Sequence, residues 1–515
     1  MRVRLLAVLA LVAPSAASAQ EGTVKKAAAT ITEADVRRRI GIIADDSMGG
    51  RDTPSPGLEK TAAWVAGEFK RLGLKPGGND GAYIQRYEIN LALPDPDSSF
   101  FRFVGPTGKD LRLQLGAEVM IQGVPPRTLV ASDLVVIGGG AALDTARLSG
   151  DLIRDKVALL VFDWTHGMTP GLQAAAVAVV SRGARGVLLP VNSDSMAGQL
   201  GLGMPRGPQV RLGAPRPSSA SAGGRYFGLA IERRFNEGLP ELAAVIATAR
   251  AATTTTVTPL TGWRVEAIGK MGDAKSAMAP NTVGILEGTD PTLKSEYVVM
   301  SAHMDHVGGG CSGSNSADRI CNGADDDGSG TVGVVALAEA FAQARPKRSI
   351  IFLTVSGEEK GLWGSAFFAD HAPVPIRSIV ADLNMDMIGR NWKDTVVAIG
   401  KEHSDLGATA NRVTTEHPDL GMKIVDDLWP QENLYFRSDH YNFARKGIPI
   451  LFFTSGLHPD YHAVTDSPDK IDAEKEARIL RLVFYLGQEV ANASGRPSWN
   501  PDSYRKIVSK ENQVP

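Results

Sequence analysis

Cysteine is scarce in this chain: Cys311 and Cys321 are the only two among 515 residues. Their spacing is not Cys-x-x-Cys, which weakens a thiolate zinc site. In an oxidising compartment a disulfide closing so short a loop is the expected reading, worth about 2 to 3 kcal/mol, and zinc ligation by the pair is the weaker competitor. An excess of one charge is also missing. Lys plus Arg is 55 against 57 for Asp plus Glu, a formal net charge of −2, so nothing draws the chain generally to nucleic acid or to an anionic membrane. Long apolar runs are absent too: past the first residues no stretch reaches the roughly 18 that a membrane span needs.

What is present begins with a leader. Residues 1–4 are basic, 5–13 are apolar, and Ala17-Ser-Ala19 precedes Gln20. Together, residues 1–19 read as a secretory signal peptide, so the mature protein is expected to be soluble and exported, to the periplasm or the medium, with no membrane association after cleavage. The length is enough for two to four structural units and a large core.

Residues 20–30, rich in Lys and Ala, read as a loose start. Thr32 can cap a helix with Glu33 and Asp35 in its first turn. After Ser55-Pro56, apolar Leu58, Ala62, Val65, Phe69 and Leu72 recur at helical spacing until Gly73. The texture then changes between 127 and 250. Strand-like runs at 134–137, 157–162 and 186–189 accompany an Ala-rich helix at 172–180, and the Gly-, Pro- and Ser-rich segment 199–224 reads as a mobile loop. Gly138-Gly-Gly140 lacks both the dinucleotide order and the phosphate-loop lysine, so a turn is expected there.

From residue 256 the α/β rhythm resumes, with strands expected at 281–286, 297–302, 349–355, 379–385 and 448–454 and a closing helix at 473–490. Strands alternating with helices predict an α/β fold: a mixed, mostly parallel sheet sandwiched by helices. Its domain is discontinuous, 31–126 and 251–495, interrupted by a smaller inserted domain at 127–250 and followed by a polar tail at 496–515 that reads as loose.

The chemistry collects at strand ends and helix starts. His303-x-Asp305 ends one predicted strand, and Asp326-x-x-Ser329-Gly330 opens a small-residue helix. Glu358-Glu359 follows the strand 349–355, Asp386 the strand 379–385, and Tyr461-His462-x-x-x-Asp466 the strand 448–454. Singly, each has an ordinary structural reading: a solvated face, a hydrogen-bonded histidine, a helix cap. Jointly they sit where open α/β sheets build sites. Imidazole and carboxylate donors suit zinc. Three negative charges on Asp326, Glu359 and Asp386 match two zinc ions once a shared hydroxide is counted, with His303 and His462 binding as neutral imidazoles.

At this point the chain resembles the dizinc exported aminopeptidase family that also contains glutamate carboxypeptidase II. The likeness runs through Met48-Gly-Gly-Arg-Asp52, Ser301-Ala-His-Met-Asp-His306, Gly323-Ala-Asp-Asp-Asp-Gly-Ser-Gly330, Ser356-Gly-Glu-Glu359, Asn384-Met-Asp-Met-Ile-Gly389, Arg437-Ser-Asp-His440 and Pro459-Asp-Tyr-His462. The insertion, with its Gly183-Ala-Arg-Gly-Val-Leu188, resembles a protease-associated domain.

The resemblance implies a peptide substrate and two zinc ions, one on His303, Asp326 and Asp386, the other on Asp326, Glu359 and His462. It makes Glu358 the general base and Tyr461 a donor to the developing oxyanion, with Asp305 orienting His303. Arg437 either meets a substrate carboxylate or pairs with a neighbouring acid. The activity implied is that of an aminopeptidase; a carboxypeptidase or dipeptidase, a mono-zinc glutaminyl cyclase and a catalytically dead binding protein are the alternatives. The oligomeric state is left open.

Overall fold

Every residue of Ser349–Val355 and Ile379–Met385 is buried, the pattern of strands covered on both faces rather than wetted on alternate sides. In the computed structural model of the chain, residues 16–513 are described apart from 93–98, 116, 123–128, 140–142, 166–171, 200–201, 203–208, 214–225, 269–274, 310, 312 and 314–317. Residues 1–15 of the expected signal, Gly140 and most of the expected 199–224 loop therefore lie outside the described residues. The chain divides into two units, Met1–Glu88 with Met278–Pro515, and Ile89–Ala277.

The first unit is built on a mixed sheet. Its strands are β1 (Ile84–Ala92), β2 (Lys275–Leu286), β3 (Tyr297–His303), β4 (Ser349–Val355), β5 (Ile379–Met385), β6 (Thr395–Ile399), β7 (Lys423–Val425) and β8 (Ile450–Thr454). Across the sheet they run β7-β6-β8-β5-β3-β4-β2-β1. β3 is parallel to β4 and β5, and β5 to β8, whereas β2 and β6 are antiparallel to β4 and β8. The mixed, mostly parallel sheet is thus as expected.

The helices that matter here are α1 (Ala16–Ala28), α2 (Glu33–Ile43), α3 (Pro56–Arg71), α4 (Gly330–Gln343) and α5 (Ala473–Asn492). Thr32 caps α2 by accepting the Asp35 N–H, and Ser55 caps α3 by accepting that of Leu58. α4 is rich in Gly, Ala and Val and is buried along most of its length against the sheet. α5 buries Ile479, Leu480, Val483 and Leu486 in the same core. Because strand side chains alternate, Met300 of β3 joins this core while Val299 enters the one on the opposite face, with Ile351, Leu353, Phe368 and Phe443.

Three sequence expectations are corrected. Residues 20–28 are not loose: they belong to α1, whose Ala27 and Ala28 are buried in the α4–α5 core with Val24 packed beside them. The tail 496–515 is not loose either. Asn500 caps a helix, Pro501–Ile507, Trp499 donates its indole N–H to the Gly447 carbonyl, and Ile507 and Val508 are buried. A mostly polar composition hid those apolar anchors.

The third correction concerns the insertion, which is wider than 127–250. Its sheet includes Phe100–Val104 paired with Asp110–Gln114, and Thr256–Ile268 paired with both Phe100–Val104 and Leu129–Gly138. These flanking segments lack a run long or apolar enough to reveal the pairing partner, which is distant in sequence. From Leu129–Gly138 this second sheet continues in parallel through Val157–Leu160, Gly186–Val191 and Tyr226–Ile231, and Val119–Gln122 closes it antiparallel, with a separate apolar core on each face.

Candidate metal centre

β3 ends on His303, β4 stops just before Glu358 and Glu359, β5 just before Asp386, and β8 leads into the loop carrying Tyr461 and His462. These four strands are mutually parallel neighbours, so their carboxyl ends, and the loops that follow, share one edge of the sheet. Asp326 arrives from the irregular turn Ala324–Ser329 that opens α4.

Two groups of ligand atoms result, each within 4.8 Å: His303, Asp326 and Asp386 in one, His306, Asp326, Glu359 and His462 in the other. Asp326 belongs to both. Its Oδ1 lies 3.4 Å from His303 Nε2, and its Oδ2 lies 3.1 Å from His462 Nε2. Asp386 Oδ1 is 3.6 Å from His303 Nε2, and Glu359 Oε2 is 3.1 Å from His462 Nε2. All five expected ligands are therefore brought together. His462 Nε2 and Asp326 Oδ2 are buried and have no hydrogen-bond partner among the described residues. Lone-pair atoms facing one another in this way fit a cation between them, and the nitrogen and oxygen donor set fits zinc.

The electrostatics agree. Burial pulls the His303 imidazole down, but the carboxylates of Asp386, Asp305 and Asp326 outweigh it and hold its pKa well above the ordinary histidine value. The same opposition raises His462 to about 10, through Asp326 and Glu359. The field at the centre thus favours positive charge. Glu358 and Glu359 diverge although adjacent. Burial, reinforced by Asp439, Asp386 and Glu359 and partly offset by His303, pushes Glu358 well above the carboxylate range. Glu359, against burial and the Asp326 charge, is held down by His306 and His462. Neighbouring carboxyls with opposite shifts mark a proton carrier beside a permanently charged ligand.

Both open onto a cleft lined also by His303, Asp326, Asp386, Tyr461, Arg437 and Ser438 and by apolar Met387, Leu434, Phe452 and Leu457. The Tyr461 ring stacks on that of His462, 3.9 Å between centroids and 22° from parallel. Burial and the surrounding carboxylates raise its pKa, so it stays a phenol able to donate. Arg437 is about half exposed and stands 3.3 Å from Glu432, so of the two roles expected for it the structure shows the pairing with an acid.

Asp305 does not line the cleft and is a positioning residue, not a catalytic one. The group facing His303 Nδ1 is the Asp305 backbone carbonyl, at 3.1 Å, while the carboxylate stands off at 3.6 Å, beyond a hydrogen bond. That carboxylate instead accepts the Thr53 hydroxyl on Oδ2 and the Glu358 N–H on Oδ1, so it holds the Glu358 backbone. Thr53 in turn accepts the Gly357 N–H.

Several supports escape sequence reasoning. Asp327 accepts the N–H groups of His303, Gly330 and Met387, tying β3, α4 and the β5 exit together. Ser438 donates to Asp386 Oδ2, and Asp466 accepts the N–H groups of Asp325 and Asp326. Arg51, fully buried, donates to the carbonyls of Ile43, Met304, Asn322 and Gly323. His306 was visible as the last letter of the motif 301–306, but nothing in the sequence shows that its ring turns inward. Cys311 and Cys321 are bonded to each other, which removes thiolate zinc ligation. Among the described residues, no helix is long and apolar enough to cross a membrane.

Comparison with known proteins matches this geometry. Residues 281–487, which carry every ligand in both groups, match the model of peptidase family M28. The chain is 28% identical over 228 residues to a probable leucine aminopeptidase of Arthroderma benhamiae, covering 42% of this chain and 59% of that one. It is 29% identical over 240 residues to aminopeptidase YwaD of Bacillus subtilis, covering 45% and 49%. The matches thus span only about half to three fifths of these relatives. The fold is shared with BSAP, a zinc aminopeptidase from Bacillus subtilis, at a TM-score of 0.54 and 16% identity over 94% of this chain and 99% of that one. The segment that builds the metal centre is thus similar to peptidase family M28.

Proposed function

We propose that the protein is a zinc-dependent exopeptidase that releases amino-terminal residues from peptides, with two zinc ions and Glu358 as general base. The observation that carries the reading is the pair of ligand groups sharing Asp326, with Glu358 beside them, belonging to neither, and its proton affinity raised. His303, Asp326 and Asp386 would hold one ion, and Asp326, Glu359 and His462 the other. Bound there, zinc supplies Lewis acidity to the scissile carbonyl and lowers the pKa of water.

The chain's own residues do the rest. Glu358 takes a proton from the attacking water and returns it to the leaving amine, a task for a carboxyl whose pKa lies above the usual range. Tyr461, held as a phenol against His462, donates its O–H where charge develops on the carbonyl oxygen. Met387, Leu434, Phe452 and Leu457 give the cleft an apolar wall, which suits an aliphatic or aromatic side chain. Export is part of the same reading, supported by the leader-like residues 1–19 and by the Cys311–Cys321 disulfide. We read the inserted unit as a protease-associated domain; Gly183-Ala-Arg-Gly-Val-Leu188 entering the strand Gly186–Val191 supports this.

The test is Glu358→Gln, assayed with amino-acyl chromogenic amides and metal analysis on one sample. Zinc content should hold at the wild-type value while turnover falls by roughly 10² to 10⁴-fold. An active variant would remove the assigned base. Cleavage of amine-blocked peptides from the carboxyl end by the wild type would instead favour a carboxypeptidase.

A further inference from the structure

His306 is buried at the centre, and the ligand assignment above gives it no task. Its Nδ1 lies 3.0 Å from Glu359 Oε1 and 3.5 Å from Asp326 Oδ2. Two roles compete. Nδ1 could offer its lone pair to the second ion, or it could carry a proton and donate it to Glu359. Position allows either, since His306 falls within the same ligand group as Asp326, Glu359 and His462.

The other ring nitrogen discriminates between them. A neutral histidine that binds metal through one nitrogen carries its proton on the second, and that N–H is almost always given to a carboxylate, a carbonyl or a water. His303 obeys the rule, with Nε2 toward the ligand carboxylates and Nδ1 toward the Asp305 carbonyl. His306 does not: its Nε2 is buried away from solvent and has no hydrogen-bond partner among the described residues. Ligation through Nδ1 would leave an unpaired N–H in the core. With the proton on Nδ1, the orphan is only a lone pair, and the N–H finds Glu359.

The ring is also fixed in place. It lies against Gly323, where a Cβ would come within 2.6 Å of two ring carbons, and Gly323 has a left-handed φ of 55°. The His306 backbone N–H is held by the Arg51 carbonyl at 3.2 Å.

We infer that His306 is a positioning residue: its Nδ1–H donates to Glu359 Oε1 and sets the carboxylate so that Oε2, 3.1 Å from His462 Nε2, is presented to the second ion. The inference rests on the two-ion reading above. A cobalt(II) titration of the metal-free protein, followed by visible absorption, separates the two. The wild type should take up two equivalents; one equivalent would sink the two-ion reading itself, whatever His306 does.

Given two, His306→Ala should lower affinity for one equivalent by about 10 to 100-fold, leave the other unchanged, and at saturation give the wild-type band positions and intensities, because no ligand is lost. His306→Asn, which can place an amide N–H near the Nδ1 position, should recover most of the affinity and guards against a folding defect in the alanine variant. Wild-type affinity for both equivalents in His306→Ala would overturn the inference. So would a saturated spectrum altered in both variants, since that marks a lost ligand.

Discussion

Arg51→Lys tests how the metal centre is held. The Arg51 guanidinium is completely buried and donates to four carbonyls: Met304 at 2.9 Å, Ile43 at 2.8 Å, Asn322 at 2.5 Å and Gly323 at 2.7 Å. Met304 follows His303, and Asn322 and Gly323 lead into the turn that delivers Asp326, so one planar group clamps both loops. A lysine keeps the charge but has a single nitrogen. Placed at the Nη1 position it serves Ile43 and Asn322 and abandons the other two. Each buried carbonyl left unpaired costs about 1 to 3 kcal/mol, hence about 2 to 6 kcal/mol for the pair. That is a large share of the roughly 5 to 15 kcal/mol that holds a typical domain folded.

The assay is guanidinium unfolding of both proteins with zinc analysis after dialysis against a weak chelator. A lower midpoint with poorer zinc retention is expected. An Arg51→Lys protein that unfolds at the wild-type midpoint with its zinc intact would refute the clamp.

Asp382 makes a pH prediction. Burial, with the Asp439 charge, raises its pKa to about 8, although Ser301 donates to its Oδ1. The folded protein therefore holds this proton more tightly than the unfolded chain, whose value is near 3.8, so stability from this group is complete at acid pH and is lost as pH climbs toward 8. Asp382→Asn should flatten the decline, which is at most about 1.4 kcal/mol per pH unit; parallel stability curves for the two proteins from pH 5 to 8 would contradict it. Tyr461→Phe should cut turnover by about 10² to 10³-fold at full zinc content if its O–H meets the oxyanion, and unchanged turnover would deny it that role. Cys321→Ser opens a loop of sequence separation 10 and should cost about 3 kcal/mol. A thiol reductant should destabilise the wild type to the same extent and leave the variant untouched.

Much of the centre was legible because its ligands sit at punctuation marks. His303, Glu359, Asp386 and His462 each follow a short apolar β-branched run, and such runs mark strands whose carboxyl ends build sites. The sheet was legible for the same reason: β4 and β5 end where their apolar runs end. Arg51, Thr53 and Asp327 were not. A buried arginine reads like any surface arginine until the carbonyls around it are known, and those belong to residues as far as 272 positions away. The flanks of the insertion failed likewise, since Phe100–Val104 finds its partner only in Thr256–Ile268.

The sequence by itself determined the central strands of the first sheet and the strand ends at which imidazole and carboxylate side chains gather, because hydrophobic period and residue chemistry are local properties. Only the tertiary structure decided what each polar atom faces. It turned the Asp305 carboxylate from His303 toward Glu358 and set the His306 ring against Glu359. It also tied the amino-terminal Arg51 to the turn that presents Asp326. Hydrogen-bond partnership depends on which distant groups the packing brings within about 3 Å, and no window of neighbouring residues contains that information.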